Sequence, residues 1–484
     1  MHPSSPIRVF DASRALAFVG DLSMGQPIDH SVRTGWLASQ LAAATGRDAA
    51  TQGHVVCVAL LRWSGCTANA PEFSDLLGDD VGGRRTMLAT ASARAAADFA
   101  SSVSPLAEIH CEVSGDIART LGMPAAVELP LRHIFETFDG QGKPNGLRAA
   151  DIPAEVFLVS IAGDLEIFSR VHGLGNALRY IAERADARYP AFLVDAVREH
   201  AVDWLHMLEQ GAANEQPPPL SAALQDATAP LELIADVIDL KLPWMTGYSR
   251  KVAEAAVRCA AGMGLDTDQQ QRIYRAGLIH GMGRASVPNA VWDSPQARSE
   301  ADAERLRLVP YWTERAARRI DTLRDEAAIA SFVDERLDGS GFFRGARGAA
   351  IDMEARVLAV AAHWVTLCTS RPGRQALEQA EATAALRAEA DAGRLDPQAV
   401  AALTGQPHPA SGSLQPSGEA AALLSGREVE VLGRISLGES NKEAARSLGI
   451  SPSTVRAHLE NIFRKLGCTT RAAATLKAMT LGLL

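Results

Sequence analysis

The chain has 484 residues, 47% of them hydrophobic and 22% charged, with a formal net charge of −9. That length is too great for one hydrophobic core and predicts about three domains; the apolar content excludes a disordered chain, and the acidic balance excludes a protein that coats nucleic acid along its whole length. The six cysteines, Cys57, Cys66, Cys111, Cys259, Cys368 and Cys468, include no CxxC pair, which argues against a zinc site or a disulfide framework and for a reducing compartment. The N-terminal stretch MHPSSPIRVFDASRALAF has neither the basic start nor the long apolar run of a signal peptide, and no apolar run long enough to span a bilayer occurs. A soluble, cytoplasmic protein with no membrane partner is expected.

Two shifts in composition divide the chain. GAANEQPPPL at 211–220 and GQPHPASGSLQPSGE from Gly405 are polar and rich in Pro, Ser and Gly, the composition of linkers. They predict domains at 7–210, 221–404 and 421–484, joined by linkers at 211–220 and 405–420, the second of them flexible. The two large segments are dominated by Ala, Leu and Arg at helical spacing with few candidate strands, so both are predicted mainly α. They also answer each other in four blocks: HSVRTGWLA from His30 and YSRKVAEAA from Tyr248, VALLRWSG to Gly65 and AGLIHGMG to Gly283, FETFDGQGKPNGL from Phe135 and DERLDGSGFFRGA from Asp334, IPAEVFLVSIAG from Ile152 and IDMEARVLAVAA from Ile351. Four blocks in one order indicate a duplication. The first copy is the longer between its first and third blocks, which places an insertion near residues 68–105.

These blocks resemble HD-domain phosphohydrolases of the HD-GYP kind, most clearly from Gly247 to Leu377. The resemblance implies a helical bundle. In an active member it implies iron or manganese held by an early His, an adjacent His-Asp pair followed by Gly-Lys, further His residues and a late Asp, and hydrolysis of cyclic di-GMP. Imidazole and carboxylate ligands hold such metals, and the metal-bound water is the nucleophile. Here most of those positions are replaced. The first copy keeps His30 at the early His position, but the His-Asp pair is Arg62-Trp63, the Lys position is Cys66, the paired His positions are Ile134 and Phe135, and the GYP triplet is Gly142-Lys143-Pro144. In the second copy the early His is Tyr248, the pair is His280-Gly281, the Lys position is Arg284, later His positions are Val309, Val333 and Asp334, the triplet is Gly341-Phe342-Phe343 and the late Asp is Ala362. With its partners replaced, His30 is expected as a capping or surface histidine, His280 as a satisfied core histidine, and Trp63 as apolar filling of the old metal cavity. Asp139-Gly140 and Asp338-Gly339 are expected to fix turns. No catalytic residue, metal ligand or cofactor is assigned, and the chain is expected not to be an enzyme.

The last segment carries the clearest local signals. Residues 421–484 hold nine basic and five acidic residues, a net of +4 on a body that then carries −13. Ser425 with Glu428 and Ser440 with Glu443 have the spacing of capping boxes; Gly438 and Gly449 close the two helices they open. Ser451 caps the next helix with Pro452 in its first turn. Val455, Leu459, Ile462, Phe463 and Leu466 recur at helical spacing as its inner face, and a fourth helix is predicted from Thr470. The segments REVEVL, NKEAA, SPSTVRAHL and KLG closely resemble the C-terminal domain of LuxR-type transcription regulators, with Ala444 standing where a bulkier Ile is usual. The resemblance implies a four-helix, non-enzymatic reader of double-stranded DNA that works as a homodimer, with the helix from Pro452 in the major groove. Its candidate DNA-binding residues are Asn441, Lys442, Ser453, Thr454, Arg456, His458, Asn461, Arg464 and Lys465, whose hydroxyl, amide and cationic groups suit phosphates and base edges.

The fold class expected for the whole is thus mainly α: two HD-like bundles in tandem, then a four-helix helix-turn-helix domain. The function expected is a DNA-binding transcription regulator whose HD-like domains are catalytically inactive and serve dimerisation or signal sensing, with a small-molecule or nucleotide ligand as a candidate partner. The alternative is a metal-dependent phosphodiesterase of the cyclic di-GMP class with a DNA-binding output.

Overall fold

The computed structural model describes residues 5–90, 93–215, 218–296, 298–405 and 423–484. The chain is mainly α, and the one sheet among the described residues is a two-stranded pairing of Pro6–Arg8 with Thr228–Pro230. No described helix is long and apolar enough to cross a membrane. Two compact units result, one from Ile7 to Ala229 and one from Pro230 to Leu484 with the first residues of the chain. The division falls beyond the Pro-rich stretch at 211–220, which itself carries the short helix Ala212–Glu215. The linker expected at 405–420 lies, from 406 onward, outside the described residues.

In the first unit the helices His30–Ala44, Ala49–Leu61 and Ala154–His172 pack on one another. The expected insertion carries the helices Ala70–Leu77 and Asp80–Ala89. The second unit repeats the plan with Tyr248–Gly262, Thr267–Ile279 and Met353–Leu367. The duplication read from the four blocks recurs bond for bond. Asp21 accepts from the Ser31 amide and hydroxyl at 3.1 and 2.6 Å, and Asp239 accepts from those of Ser249 at 2.8 and 2.7 Å, so in each copy a buried carboxylate anchors the first turn of the same helix. The Gly65 amide donates to Ser114 Oγ at 3.0 Å and the Gly283 amide to Thr313 Oγ1 at 2.9 Å. Glu136 accepts from the amides of Asn145 and Leu147, and Glu335 from those of Arg344 and Ala346. Gly142 and Gly341 lie so close to the Glu backbone that a Cβ at either would collide with it.

His30 departs from expectation. It is a fully buried residue, neither a surface nor a merely capping histidine. Its Nδ1–H donates to Glu166 Oε2 at 2.5 Å while Nε2 accepts from the Arg62 guanidinium, and burial together with the charge of Arg62 keeps the imidazole neutral by pushing its pKa down. Arg33 and Arg170 also donate to Glu166, each at 3.3 Å.

The C-terminal residues form the helices Gly426–Ser436, Asn441–Leu448, Pro452–Leu466 and Arg471–Thr480. Both capping boxes are present, at Ser425 with Glu428 and at Ser440 with Glu443. Gly449 and Gly467 take left-handed φ of 65° and 61° to end their helices, a conformation cheap for glycine. Val455, Leu459, Ile462 and Leu466 face inward, but Phe463 is only half-buried, because it lies at the edge of the stripe. Ala444 is fully buried in the core of this domain.

Burial pushes the Glu166 carboxyl up, yet the hydrogen bond from His30 and the charge of Arg170 outweigh it and hold it at about 2, below its ordinary value of 4.5. Its ionisation therefore stabilises the fold above about pH 4.5, and that contribution is lost as pH falls toward 2. Acid titration of the full chain followed by circular dichroism should show Glu166→Gln with a flatter acid limb in that window and about 3–5 kcal/mol less stability at neutral pH, the cost of leaving buried cationic groups without their carboxylate.

Candidate ligand cavity and nucleic-acid interface

The second HD-like copy encloses a cavity of about 290 Å³. Its lining comes from several elements. Gly247, at φ 70°, turns the chain into the Tyr248–Gly262 helix, whose Tyr248 lines it. The end of Thr267–Ile279 and the 3₁₀ turn Met282–Ser286 supply His280 and Arg284; the Met353–Leu367 helix supplies His363 and Thr366; the turn Pro243–Met245 supplies Trp244 and Met245.

Cationic and aromatic groups dominate this lining. Arg284, Arg298, Arg336 and Arg371 all reach it, along with Trp244, Tyr248, Trp292 and Phe342, against a single carboxylate, Asp334. His280 is neutral: burial and the charge of Arg284 push it down to about 3, its Nδ1–H donates to the Gly277 carbonyl at 2.6 Å, and its Nε2 accepts from Arg284 at 2.7 Å. His363 is held down to about 4 by burial and Arg336. Burial and the like charge of Arg371 lower the Arg298 guanidinium. Tyr248 Oη lies 2.7 Å from Thr366 Oγ1, and Arg284 lies 4.9 Å over the tyrosine ring. The Trp292 indole N–H is buried without a partner. Guanidinium groups bind phosphates in a fork geometry and aromatic faces stack on planar rings, so the lining suits an anion that carries flat, apolar surfaces.

The metal centre implied by the HD resemblance can be tested against the same residues. At the position of the paired Asp stands Gly281, and a Cβ built there would collide with the Arg284 guanidinium. In the first copy Gly163 answers Ala362, and a Cβ there would collide with Arg62. Each copy thus has a guanidinium in its centre and a glycine that makes room for it. Trp63 does pack apolar side chains, Met24, Cys66 and Phe135, but Arg62 takes the central space. Among the described residues no group of three or more His, Cys, Asp or Glu comes together that could hold a metal ion, and the residues present do not fit the family's centre. His280, read as a satisfied core histidine, is one by its bonds and also borders the cavity. Arg298, Arg336, Arg371 and the two tryptophans were missed in sequence, since no spacing links them.

On the C-terminal domain, Ser453, Thr454, Arg456, Asn461, Arg464, Lys465 and Lys442 are exposed, and His458 and Asn441 are half-buried. Of the exposed group, all but Lys442, which lies on Asn441–Leu448, stand on the Pro452–Leu466 helix away from its buried stripe. Several are already bonded within the domain. Lys465 donates to Glu428 at 2.7 Å, Arg456 to Glu460 at 3.0 Å and Arg464 to Asn461 at 2.8 Å, while the hydroxyls of Ser453 and Thr454 lie 2.7 and 2.8 Å from Ser451 Oγ. Arg471, not among the residues anticipated, donates to Asn441 Oδ1 at 2.8 Å and so adds a cation beside Lys442.

A family model for the HD domain matches residues 232–399, and one for bacterial regulatory proteins of the luxR family matches residues 422–478. The chain fuses an HD domain to a LuxR-type helix-turn-helix domain. Over 423 residues it is 24% identical to the 3'3'-cGAMP-specific phosphodiesterase 3 of Vibrio cholerae serotype O1, covering 79% of this chain and 91% of that protein. A crystal structure of a cyclic GMP-AMP-specific phosphodiesterase of V. cholerae shares its fold, with a TM-score of 0.58 at 20% identity over 83% of this chain and 98% of that one. A stretch of 59 residues is 48% identical to the probable transcriptional regulatory protein NarL of Mycobacterium tuberculosis, covering 12% of this chain and 27% of that protein.

These relatives correct the expectation that the chain is not an enzyme. The proteins that align with it across the HD region are phosphodiesterases. Counting ligands against one metal pattern tests that pattern alone, whereas the kinship extends over the whole bundle.

The packing of Arg284 on Gly281 carries its own check. Gly281→Ala should cost about 1–3 kcal/mol by overpacking, and most of that cost should vanish in the Arg284→Ala background. A thermal-unfolding cycle over the two single variants and the double variant measures the coupling; strictly additive losses would refute the contact.

Proposed function

We propose that the chain is a DNA-binding transcription regulator whose HD body is of the phosphodiesterase kind and takes a cyclic dinucleotide in the cavity of its second copy. The observation that carries the ligand is the lining: four arginines and four aromatic side chains face one carboxylate, a match for a molecule with two phosphodiesters and two flat bases. A 3'3'-linked cyclic dinucleotide is the class named by the Vibrio relative. Arg284, Arg336, Arg298 and Arg371 would hold the phosphates, and Trp244, Trp292 and Phe342 would stack on the bases. Phosphodiester hydrolysis adds water across one P–O bond and yields the linear dinucleotide; the kinship with phosphodiesterases supports that activity.

The DNA reading rests on the exposed face of Pro452–Leu466, held rigid by caps at both ends. Ser453, Thr454, Arg456, His458 and Asn461 would meet base edges or nearby phosphates, and Asn441, Lys442, Arg464 and Lys465 the backbone. A homodimer would double these contacts on one duplex. Such a reader would work in the cytoplasm, with the DNA.

Two measurements test this reading. Titration of the purified full chain with 3'3'-cGAMP and with cyclic di-GMP should show saturable binding that Arg336→Ala weakens about tenfold or more, and chromatography of the same mixtures should show linear product. Absence of binding to either compound would sink the ligand assignment, and intact ligand after long incubation would remove the activity. Against DNA fragments enriched by the full chain, Arg456→Ala or Asn461→Ala should cost about 1–3 kcal/mol and relax specificity at one position, whereas Lys442→Ala should weaken all sequences alike and lower the salt slope by about 1.

A further inference from the structure

The turn Pro243–Met245 has two faces. On one, Trp244 and Met245 line the cavity, with the Trp244 indole N–H donating to Asp293 Oδ1 at 2.8 Å. On the other, the next residue, Thr246, is buried, and its Oγ1 lies 2.7 Å from the carbonyl of Ser436, the last residue of the Gly426–Ser436 helix, and 2.9 Å from the Pro243 carbonyl within the turn. That carbonyl is one of those a helix end leaves without an internal partner. Pro243 presses on Gly438, where a Cβ would lie 2.9 Å from the Pro243 Cβ and where φ is 89°. Gly438 leads directly into Ser440, which caps the first helix of the helix-turn-helix.

A second path runs beside the first. The Glu232–Asp239 helix packs against Arg471–Thr480 of the DNA-reading domain. At its far end Asp239 holds the first turn of the Tyr248 helix through Ser249 and lies 3.7 Å from Arg284 in the cavity. The turn thus borders the cavity directly, and the Glu232–Asp239 helix reaches it through Arg284.

We propose that the turn at 243–246 is a coupling element through which an occupant of the cavity and DNA on the reading helix change each other's affinity. This rests on the reading above that the cavity takes a cyclic dinucleotide. An occupant that stacks on Trp244 shifts the turn, and the turn holds the exit of Gly426–Ser436 by one buried hydrogen bond and one proline contact. A contact that small is broken or remade at a cost a ligand can meet. The effect is a difference in ligand affinity between two arrangements of the same contact, and it acts equally in both directions.

The experiment uses the full chain, 3'3'-cGAMP or cyclic di-GMP as ligand, whichever binds, and a DNA fragment enriched by the full chain from a random-sequence library. Saturating ligand should change the DNA dissociation constant by about 5- to 150-fold, and saturating DNA should change the ligand dissociation constant by the same factor. Thr246→Val keeps the shape and removes the donor; it should leave ligand affinity within about threefold and bring the coupling factor close to 1. Hydrogen exchange on the unaltered protein supplies a readout independent of any variant: ligand alone should change the protection of the amides from Gly438 to Lys442. Ligand and DNA that bind without influencing each other would overturn the coupling and leave the ligand reading standing. Full coupling retained in Thr246→Val, with no change in exchange at 438–442, would overturn the role of this turn. Failure of both dinucleotides to bind would sink the ligand reading and the coupling with it.

Discussion

A guanidinium buried in an otherwise helical, largely apolar bundle has to be answered by other groups, and much of each HD-like copy is arranged to answer it. In the first copy Arg62 donates to His30 and Thr34, and His30 passes the demand on to Glu166, a carboxylate that also takes Arg33 and Arg170. Burial lowers Arg62 to about 10, still charged at neutral pH, with nearby Asp21, Asp164 and Glu166 opposing that fall. In the second copy Arg284 donates to His280, faces the ring of Tyr248 and lies near Asp239. The Gly163 and Gly281 positions make sense only with those side chains in place, since any Cβ would occupy the same space.

The two copies differ in how completely that demand is met. In the first, Arg62 is tied to His30 and through it to Glu166, although its Nε, too, has no hydrogen-bond partner. The second leaves one Arg284 nitrogen without a hydrogen-bond partner and adds three further arginines around a cavity that offers them only Asp334. Two copies of one plan thus differ in that the second gathers three further arginines around its cavity. The same asymmetry makes the second copy the place where an anionic molecule gains most.

The DNA-reading domain depends on different physics. Its helices are short, and short helices are marginal without caps; here the caps come from side chains three residues apart and from glycines at left-handed φ. On the outer face of Pro452–Leu466 the bonds of Arg456 and Arg464 stay within the helix, while the Lys465 ammonium is tied to the capping carboxylate Glu428. The domain lies in the same compact unit as the second HD-like copy, joined there by Thr246, Pro243 and the Glu232–Asp239 helix.

Local chemistry was legible without coordinates. The capping boxes, the glycine stops, the inner stripe of the reading helix and the four repeated blocks all follow from spacing, because each is a contact between residues a few positions apart or a pattern copied whole. Phe463 was placed too deep, since periodicity gives a direction and not a depth. His30 was misjudged for a related reason: its burial is decided by Arg62 and Glu166, residues 32 and 136 positions away, and no local pattern announces them. The arginine cavity belongs to the same class, assembled from many separated elements and loops whose only common property is where the bundle brings them. What the sequence by itself determined is therefore the helical elements, their caps and the repeat; what only the tertiary structure decided is which charges are buried together, which are left open, and what the turn at 243–246 touches on its two sides. Short-range geometry is set by the chain's own covalent spacing, whereas the environment of a charge is set by whatever packing carries across the fold.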